Sequence, residues 1–414
     1  MRILIYPMGS AGDVHPFIGV GKQLQARGHE VFIITSGFFE ELTRKAGLEF
    51  RPVGTKEDFE RVQEDPNLWH PKRAFETLVK KALNHSYGPI VDHARELHKP
   101  GETVMLAGTL AFGARNARDL LDIPLATVHL APCLFLSRYR QPILHGAPIG
   151  QWAPGWLKAL QWWGGSKVAD RHVLPGLNRF RREHGLPRAR DIIRDWWHSP
   201  DRVIGLFPEW FGPPQPDWPA QTRLTGFPMF DEKGLHELPP EVEEFLGGGD
   251  APVVFTPGSA MAHGQDFFRE GVQALKRLGK RGMLLSRFPE TIPGDLPDTI
   301  KHFNYVPFSD VLPRAAALVY HGGVGTCAQA LAAGVPHLIY HMAHDQLDNL
   351  SRVRDLGVGD GLAPKRFNAG RIAEMLDRLL NDAELKQRAD AIAERFDTGA
   401  WMQQTCDLVE QLNK

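Results

Sequence analysis

Charge excess, cysteine and long apolar runs are all scarce in this sequence of 414 residues. Its 48 Lys and Arg residues almost balance 49 Asp and Glu residues, and a net charge of −1 excludes a general nucleic-acid binder. The three cysteines are too few and too scattered for a disulfide framework or a zinc knuckle. No stretch reaches the roughly 18 apolar residues that span a bilayer, and the first residues lack a signal-peptide layout. We therefore expect a soluble, cytoplasmic protein.

The sequence does contain a repeated alternation of short apolar runs with amphipathic segments. Residues 2–6 and 31–35 are predicted to be buried strands around a helix over residues 17–27, and strand 103–108 continues the pattern. A proline-rich connector over residues 212–219 leads into a second half with the same alternation. The pattern predicts an α/β protein with two Rossmann-like parallel-sheet domains that face each other across a cleft.

The strongest local motif is the segment 321–326, which reads His-Gly-Gly-Val-Gly-Thr between a predicted strand and a predicted helix. Glycines let a backbone approach a ligand closely, and the free N–H groups of a helix start favour an anion, so the segment suits a diphosphate. The dinucleotide fingerprint G-x-G-x-x-G and the P-loop are both absent, which argues against a hydride-transfer enzyme and a P-loop ATPase. The alternative is a glycine turn that serves only helix–strand packing.

Polar side chains follow the next predicted strand. Asp345 and Gln346 offer a carboxylate beside an amide, a pair that suits the vicinal hydroxyls of a sugar. The nearby His337, His341 and His344 raise the possibility of a metal site, but they do not share one helix turn and lack a completing ligand set. We expect these histidines to serve packing and hydrogen bonding, and we expect no metal.

The segment 321–346 resembles the nucleotide-sugar signature of the GT-B glycosyltransferases in the UDP-glycosyltransferase family. His321, the Gly-Val-Pro of residues 334–336 and the Asp-Gln of residues 345–346 follow one another at that family's spacing. Tyr-Val-Pro at residues 305–307 and Gly-Ser at residues 258–259 match two further family loops. Plant members have Glu where this chain has Gln329, which leaves the donor preference open. The resemblance implies that the donor is held by Gly12, Ser259, Tyr305, Val306, His321, Gly323, Gly325, Thr326, Gln329, Asp345 and Gln346.

The resemblance also implies a general base in the loop after the first strand. The family places this base three residues before a proline, and here Asp13 precedes Pro16 by that spacing. A hydroxyl that attacks an anomeric carbon must lose its proton, so a base within hydrogen-bond reach is needed. His15 is the rival base, and the alternative role for Asp13 is a helix cap. Where the family has an acidic partner for its base, residues 107–109 read Ala-Gly-Thr, which fits an Asp that acts alone.

Within this family the chain most resembles the bacterial rhamnosyltransferases of rhamnolipid synthesis. The matching segments lie at residues 9–14, 65–72, 198–200, 206–211, 213–219, 225–228 and 343–346. This implies an inverting enzyme that moves rhamnose or glucose from dTDP-L-rhamnose or UDP-glucose to a hydroxyl of an apolar or lipid-like acceptor. No other cofactor and no nucleic acid are expected as partners, and weak membrane association is compatible with such an acceptor.

The resemblance further implies an acceptor-binding domain at residues 1–216 and a nucleotide-sugar-binding domain at 217–399, with a last helix at 400–414 that packs back on the first. Four tryptophans over residues 152–163 are interpreted as core for some and as an apolar acceptor wall for others. Two other functions stay open: a sugar-nucleotide epimerase or hydrolase of the same fold, and a binding subunit without catalysis.

Overall fold

The computed structural model describes residues 1–69, 73–234, 237–259, 261 and 264–413. The chain divides into two compact units, of which the first combines Met1–Pro228 with Thr398–Lys414 and the second is Met229–Asp397. Residues 70–72, which end one of the segments that carry the resemblance, lie outside the described residues.

A parallel sheet forms the centre of the first unit. In the part of the chain that the structure describes, its seven strands lie in the order β3-β2-β1-β4-β5-β6-β7. The apolar runs that predicted the strands are buried on both faces, as crossover helices require. The strands are β1 Arg2–Tyr6, β2 Glu30–Thr35, β3 Glu49–Pro52, β4 Thr103–Gly108, β5 Leu125–His129, β6 Arg202–Gly205 and β7 Thr222–Leu224.

Helices connect these strands, and the longest of them, α7, follows β5. They are α1 Ala11–Ala26, α2 Glu40–Lys45, α3 Lys56–Gln63, α4 Ala74–Leu78, α5 Asn84–Leu97, α6 Phe112–Leu121 and α7 Gly155–Glu183.

The second unit repeats the architecture with a parallel sheet in the order β10-β9-β8-β11-β12-β13. Its strands are β8 Val253–Thr256, β9 Gly282–Leu285, β10 Ile300–Phe303, β11 Ala317–Tyr320, β12 His337–Tyr340 and β13 Gly359–Leu362. Its helices are α8 Pro240–Gly247, α9 Gln265–Leu278, α10 Phe308–Val311, α11 Val324–Ala332, α12 Gln346–Asp355, α13 Ala369–Asn381 and α14 Ala383–Ala393. The predicted class, two Rossmann-like parallel-sheet α/β domains, is confirmed.

Two boundaries differ from the sequence-based expectation. The first unit extends to Pro228 instead of residue 216, because β7 lies beyond the proline-rich connector and pairs with β6 of the first sheet. Helix α1 begins at Ala11 instead of residue 17, because Ser10 and Asp13 form a capping box and Pro16 is accommodated inside the helix. Asp13 and His15 therefore lie on a helix and not in a loop.

The last helix, α15 Thr398–Glu410, packs on the first unit. The Arg27 guanidinium at the end of α1 donates to Asp407 at 2.7 Å and to Glu410 at 3.1 Å. The Thr405 hydroxyl donates to the Thr225 hydroxyl at 3.0 Å, where both side chains are buried. These contacts attach the end of the chain to the first unit.

The tryptophans of the segment 152–163 fall into two groups. The indole of Trp162 donates to the Gln141 side chain at 3.0 Å, so this ring is anchored. By contrast, Trp152, Trp156 and Trp163 are 84%, 69% and 52% exposed, which excludes a core role for these three. In the described part of the chain, no helix is long and apolar enough to cross a membrane.

A substitution at Gly226 tests how closely α15 packs on the first unit. A Cβ atom at Gly226 would overlap the indole of Trp401, so we expect Gly226→Ala to lower the free energy of unfolding by about 1–3 kcal/mol. In a Trp401→Ala background the same change should cost far less, because the overlapping ring is gone. Chemical denaturation of the four proteins measures the coupling.

Gly164 in α7 supplies the matched control, because a Cβ atom there meets nothing within 4 Å. Gly164→Ala should be neutral or stabilise the helix by up to about 1 kcal/mol. Equal costs of Gly226→Ala in both backgrounds would contradict the proposed seating of Trp401.

Candidate active site

The turn between β11 and α11 requires its first glycine. Gly322 has φ +94°, and a Cβ atom there would lie 2.7 Å from a methyl group of Ile339. A side chain at this position would therefore meet both backbone strain and a collision. Gly323, the N-cap residue of α11, has an extended backbone, and the helix begins directly after it. The geometry turns the chain sharply and leaves the start of α11 at the carboxyl edge of the second sheet.

The imidazole of His321 lies between two glycines. A Cβ atom at Gly258 would approach the ring to 2.9 Å, and one at Gly323 would approach its Nε2 atom to 2.5 Å. The loops after β8 and β11 thus both pack closely against one ring, which accounts for both glycines. Burial, followed by the charge of His344, lowers the pKa of His321 to about 4, so the ring is neutral at pH 7. In the described part of the chain its buried Nδ1 atom has no hydrogen-bond partner.

The carboxylate of Asp345 joins two helix N-termini. Asp345 is the N-cap residue of α12, and its Oδ2 atom accepts a hydrogen bond from the Val324 N–H of α11 at 3.2 Å. The same oxygen accepts from the Asn349 amide at 2.7 Å, and that amide also donates to the Gly322 carbonyl at 2.9 Å. Burial raises the pKa of Asp345 above its usual value. Sequence reasoning missed Asn349, although its position one helical turn after Asp345 is the signal that indicates a contact.

Gln346 does not present its carbonyl oxygen to a ligand. The side chain is 2% exposed, and Oε1 accepts hydrogen bonds from the Met342 and Ala343 N–H groups at 2.6 Å and 3.0 Å. This pair of bonds holds the turn between β12 and α12. Only the amide NH₂ group is left for a sugar hydroxyl, so the expected role of Gln346 is reduced to that of a donor.

The first turn of α11 carries the predicted phosphate contacts. The first N–H groups of a helix have no partner within it, and Val324 gives its own to Asp345, which leaves those of Gly325 and Thr326. A Cβ atom at Gly325 would meet nothing within 4 Å, so protein packing does not require a glycine here. Ser259, which follows β8, is exposed, while Gln329 lies deeper in α11 and is buried. An anion can approach this helix start closely.

Tyr305 and Val306 follow β10 at the same edge of the sheet. The Tyr305 hydroxyl donates to the Asp231 carbonyl at 2.9 Å, and the Arg287 guanidinium lies 5.2 Å from the ring centroid. Val306 is 3% exposed. One face of the tyrosine ring is thus beside a cation, which restricts the orientation of the ring.

His337, a buried histidine of the second unit, has a hydrogen-bond partner inside the protein. The Nδ1 atom of His337 lies 3.0 Å from the Tyr320 hydroxyl, and burial lowers the pKa of His337 to about 3. Among the described residues, no group of three or more His, Cys, Asp or Glu side chains could hold a metal ion.

In the first unit, the carboxylate of Asp13 accepts hydrogen bonds from the start of its own helix. Its Oδ2 atom accepts hydrogen bonds from the Ser10 N–H at 2.7 Å and from the Ser10 hydroxyl at 3.0 Å. A Cβ atom at Gly9, which has φ +136°, would overlap this carboxylate. Ser10 is the N-cap residue, so Asp13 occupies the third helical position instead of the cap that the sequence alternative assigned to it.

His15 and Gly12 lie on the same helix. His15 is half-buried and Gly12 is exposed. Residues two apart on a helix do not face each other, so Asp13 and His15 point to different sides of α1. The structure therefore does not bring the two candidate bases together on one face of α1.

Comparisons with known proteins agree with this architecture. Residues 3–87 match the glycosyltransferase family 28 N-terminal domain, and residues 289–400 match the erythromycin biosynthesis protein CIII-like C-terminal domain. The O-mycaminosyltylonolide 6-deoxyallosyltransferase of Streptomyces fradiae is 30% identical over 99% of this chain and 97% of its own length. The sterol 3-beta-glucosyltransferase of Debaryomyces hansenii is 26% identical over 94% of this chain, which spans 25% of that longer protein.

Solved structures share the fold. The glycosyltransferase of kitacinnamycin superposes with a TM-score of 0.75 at 19% identity and covers 100% of this chain and 99% of its own. The spinosyn rhamnosyltransferase SpnG, complexed with thymidine diphosphate, gives a TM-score of 0.69 at 18% identity, with 100% of each chain covered.

Two parallel-sheet units and a glycine-lined helix start define a GT-B glycosyltransferase. The chain belongs to the glycosyltransferase family that the family 28 and erythromycin CIII-like domains describe, and it is a nucleotide-sugar-dependent enzyme.

Substitutions at Gly325 and Gly323 should distinguish an effect on nucleotide affinity from an effect on stability. Because Gly325 has open space around it, Gly325→Ala should leave the thermal midpoint unchanged or raise it slightly. The added methyl group stands where a phosphate would approach the helix, so nucleoside diphosphate affinity should fall by about tenfold or more. Calorimetric titration with dTDP and with UDP measures the affinity.

Gly323→Ala is the contrasting variant, because its methyl group collides with the His321 ring. It should lower the thermal midpoint as well as the affinity. Unchanged nucleotide affinity in Gly325→Ala would show that this helix start does not hold the diphosphate.

Proposed function

We propose that the protein is an inverting glycosyltransferase that moves rhamnose or glucose to a hydroxyl of an apolar acceptor. The observation that carries this proposal is the start of α11, where Asp345 fixes the loop and uncharged N–H groups are left for a diphosphate. A donor that carries dTDP with a 6-deoxy sugar is supported by similarity to a 6-deoxyallosyltransferase and to a rhamnosyltransferase solved with thymidine diphosphate. UDP-glucose is the alternative donor, supported by the sterol glucosyltransferase.

Asp13 is the proposed base. One of its carboxylate oxygens accepts two hydrogen bonds from Ser10, which fixes the orientation of the group, and a carboxylate has lone pairs on both oxygens. In the proposed step the acceptor hydroxyl gives its proton to Asp13 while its oxygen attacks the anomeric carbon. The bond to the nucleoside diphosphate breaks on the opposite face, which inverts the configuration.

The leaving diphosphate is stabilised without a positively charged His321, because that ring is neutral at pH 7. The N–H groups of Gly325 and Thr326 and the N-terminal end of the α11 dipole supply the stabilisation instead. Family membership favours transfer over the epimerase, hydrolase and non-catalytic alternatives, because the relatives that match almost the whole chain are named as transferases.

The exposed tryptophans support an apolar acceptor that is presented at a membrane surface. Trp156 and Trp163 lie seven residues apart on α7, with the 55% exposed Leu160 between them, so the three share one helix face. Residues 123–169 include no Asp or Glu, and this segment contains basic residues such as Arg138. Tryptophan favours the interface of a bilayer, and a segment without acidic residues of its own does not oppose anionic lipid.

Asp13→Asn tests the base. The change keeps the size of the side chain and an oxygen for Ser10, so nucleotide affinity should stay within about twofold while transfer falls by at least about 100-fold. The assay follows transfer from dTDP-L-rhamnose and from UDP-glucose to a panel of apolar alcohols by mass spectrometry.

Asp58→Asn is the matched control, because Thr55 and Asp58 form the same capping box at the start of α3. It should lose similar stability and keep transfer. Near-normal transfer in Asp13→Asn, together with a loss in His15→Gln, would assign the base to His15 and contradict the proposal.

Vesicle binding tests the surface formed by the exposed Trp152, Trp156 and Trp163. Sedimentation with vesicles of phosphatidylglycerol and phosphatidylcholine should retain the wild-type protein, and the triple variant Trp152→Ser, Trp156→Ser, Trp163→Ser should stay in solution. The corresponding triple Phe variant keeps the apolar area and should bind at least half as well as the wild type. Equal sedimentation of the wild-type protein and the Ser variant would argue against a membrane role for this surface.

A further inference from the structure

Three elements of the first unit bring a chain of hydrogen bonds to the carboxyl end of β4. The Oγ1 atom of Thr109 lies 2.8 Å from Nδ1 of His129, and Nε2 of His129 lies 2.9 Å from Nδ1 of His198. The indole of Trp197 then donates to Nε2 of His198 at 3.0 Å. His129, His198 and Trp197 are 0%, 7% and 8% exposed, while Thr109 is half-buried. The chain therefore runs from the buried interior to the edge of the sheet.

Trp197 fixes the direction of every bond in this chain. An indole N–H can only donate, so Nε2 of His198 carries no proton. Burial lowers the pKa of His198 to about 4 and that of His129 well below its usual value, so both rings are neutral at pH 7. A neutral imidazole has one N–H, so His198 donates through Nδ1 to His129, and His129 donates through its own Nδ1 to the Thr109 oxygen.

The Thr109 hydroxyl must therefore donate its own proton elsewhere. Within the described part of the chain its contact on that side is the Val128 carbonyl at 3.3 Å, which is long for a hydroxyl donor. Strand β4 pairs with β1 in parallel, with Ala107 opposite Tyr6. Thr109 therefore lies at the carboxyl edge of the sheet, where β1 ends and the polypeptide turns into the segment before Asp13. A ligand oxygen at this edge would accept a shorter and stronger bond from Thr109.

This chain of hydrogen bonds is not a route for the proton that the acceptor loses. It ends at the indole N–H of Trp197, which neither gives up nor takes a proton near neutral pH. Its physical effect is instead to make Thr109 a donor of fixed direction, at the position where the family resemblance implies a carboxylate. Such a donor recognises an oxygen lone pair and discriminates against an apolar group, because the site's polar atom would be left without a partner.

We propose that the Thr109 hydroxyl donates a hydrogen bond to a carbonyl or hydroxyl oxygen of the acceptor that lies near the hydroxyl to be glycosylated. His129, His198 and Trp197 are positioning residues that set the direction of this bond. The inference rests on the proposed function, since it takes the acceptor to bind at the edge where Asp13 lies. It adds a specificity rule: an apolar acceptor with a second oxygen near its hydroxyl binds more tightly than a simple alcohol.

Two neutral probes of similar length test this rule, methyl 3-hydroxyoctanoate with a carbonyl near its hydroxyl and 2-octanol without one. Calorimetric titration of the protein preloaded with dTDP should show that the wild type binds the ester roughly five- to tenfold more tightly. Thr109→Val should reduce this preference to less than about twofold, and Thr109→Ser, which keeps the hydroxyl, should retain it. Trp197→Phe removes the indole N–H and should reduce the preference by about half, with dTDP affinity unchanged.

Thr103→Val is the matched control, because Thr103 lies at the opposite end of β4 and its buried hydroxyl likewise accepts one N–H, from Lys99 at 2.9 Å. It should lower stability without changing the preference, whereas general damage would weaken both probes equally. If Thr109→Val does not fold, Trp197→Phe carries the test. A wild-type protein without preference for the ester, or a preference unchanged in Thr109→Val or in Trp197→Phe, overturns the proposal. Loss of transfer in Asp13→Asn is a separate readout, so failure of the proposed function is distinguishable.

Discussion

The hydrogen bond from the Val324 N–H to the Asp345 carboxylate is the interaction on which the rest of the proposed donor site depends. It ties the start of α11 to the start of α12, and the Asn349 amide extends the tie to the Gly322 carbonyl. A carboxylate that is half-buried is costly to ionise, but two helix N-termini offset part of that cost. Because the loop is fixed by the protein's own groups, the remaining N–H groups of α11 are oriented before a nucleotide binds, which is the arrangement that preorganised stabilisation requires.

This arrangement would account for the proposed diphosphate site in a chain whose net charge is only −1. Long-range attraction of an anion needs an excess of basic side chains, and the sequence has none. Backbone N–H groups act over one or two bond lengths and leave the overall charge unchanged. His321 adds no positive charge either, since its imidazole, packed against Gly258 and Gly323, is neutral at pH 7.

The sequence could place the segments of the proposed donor site at one edge of the second sheet because these segments are local. Segment 321–326 and the pair Asp345 and Gln346 each follow a strand directly, so adjacent parallel strands place them at one edge. The hydrogen-bond partners of the individual side-chain atoms could not be predicted. Gln346 gives its carbonyl to the turn before α12, and Asn349 takes a part in the loop that no motif assigns to it. Such details depend on side-chain rotamers and on competition for the same lone pairs, which spacing does not encode.

The hydrogen-bonded group proposed to contact the acceptor could not be predicted in the same way, since its polar side chains come from distant parts of the chain. Thr109, His129 and His198 meet only because β4, β5 and the segment before β6 are neighbours in the first sheet. Residues 107–109 and 198–200 were each singled out in the sequence, but no local pattern indicates that Thr109, His129 and His198 meet. In a fold of this kind, the chemistry common to all donors can be held in short contiguous motifs that tolerate little change. Recognition of different acceptors falls instead on contacts between elements far apart in sequence, where one substitution alters the binding surface without disturbing the donor loop.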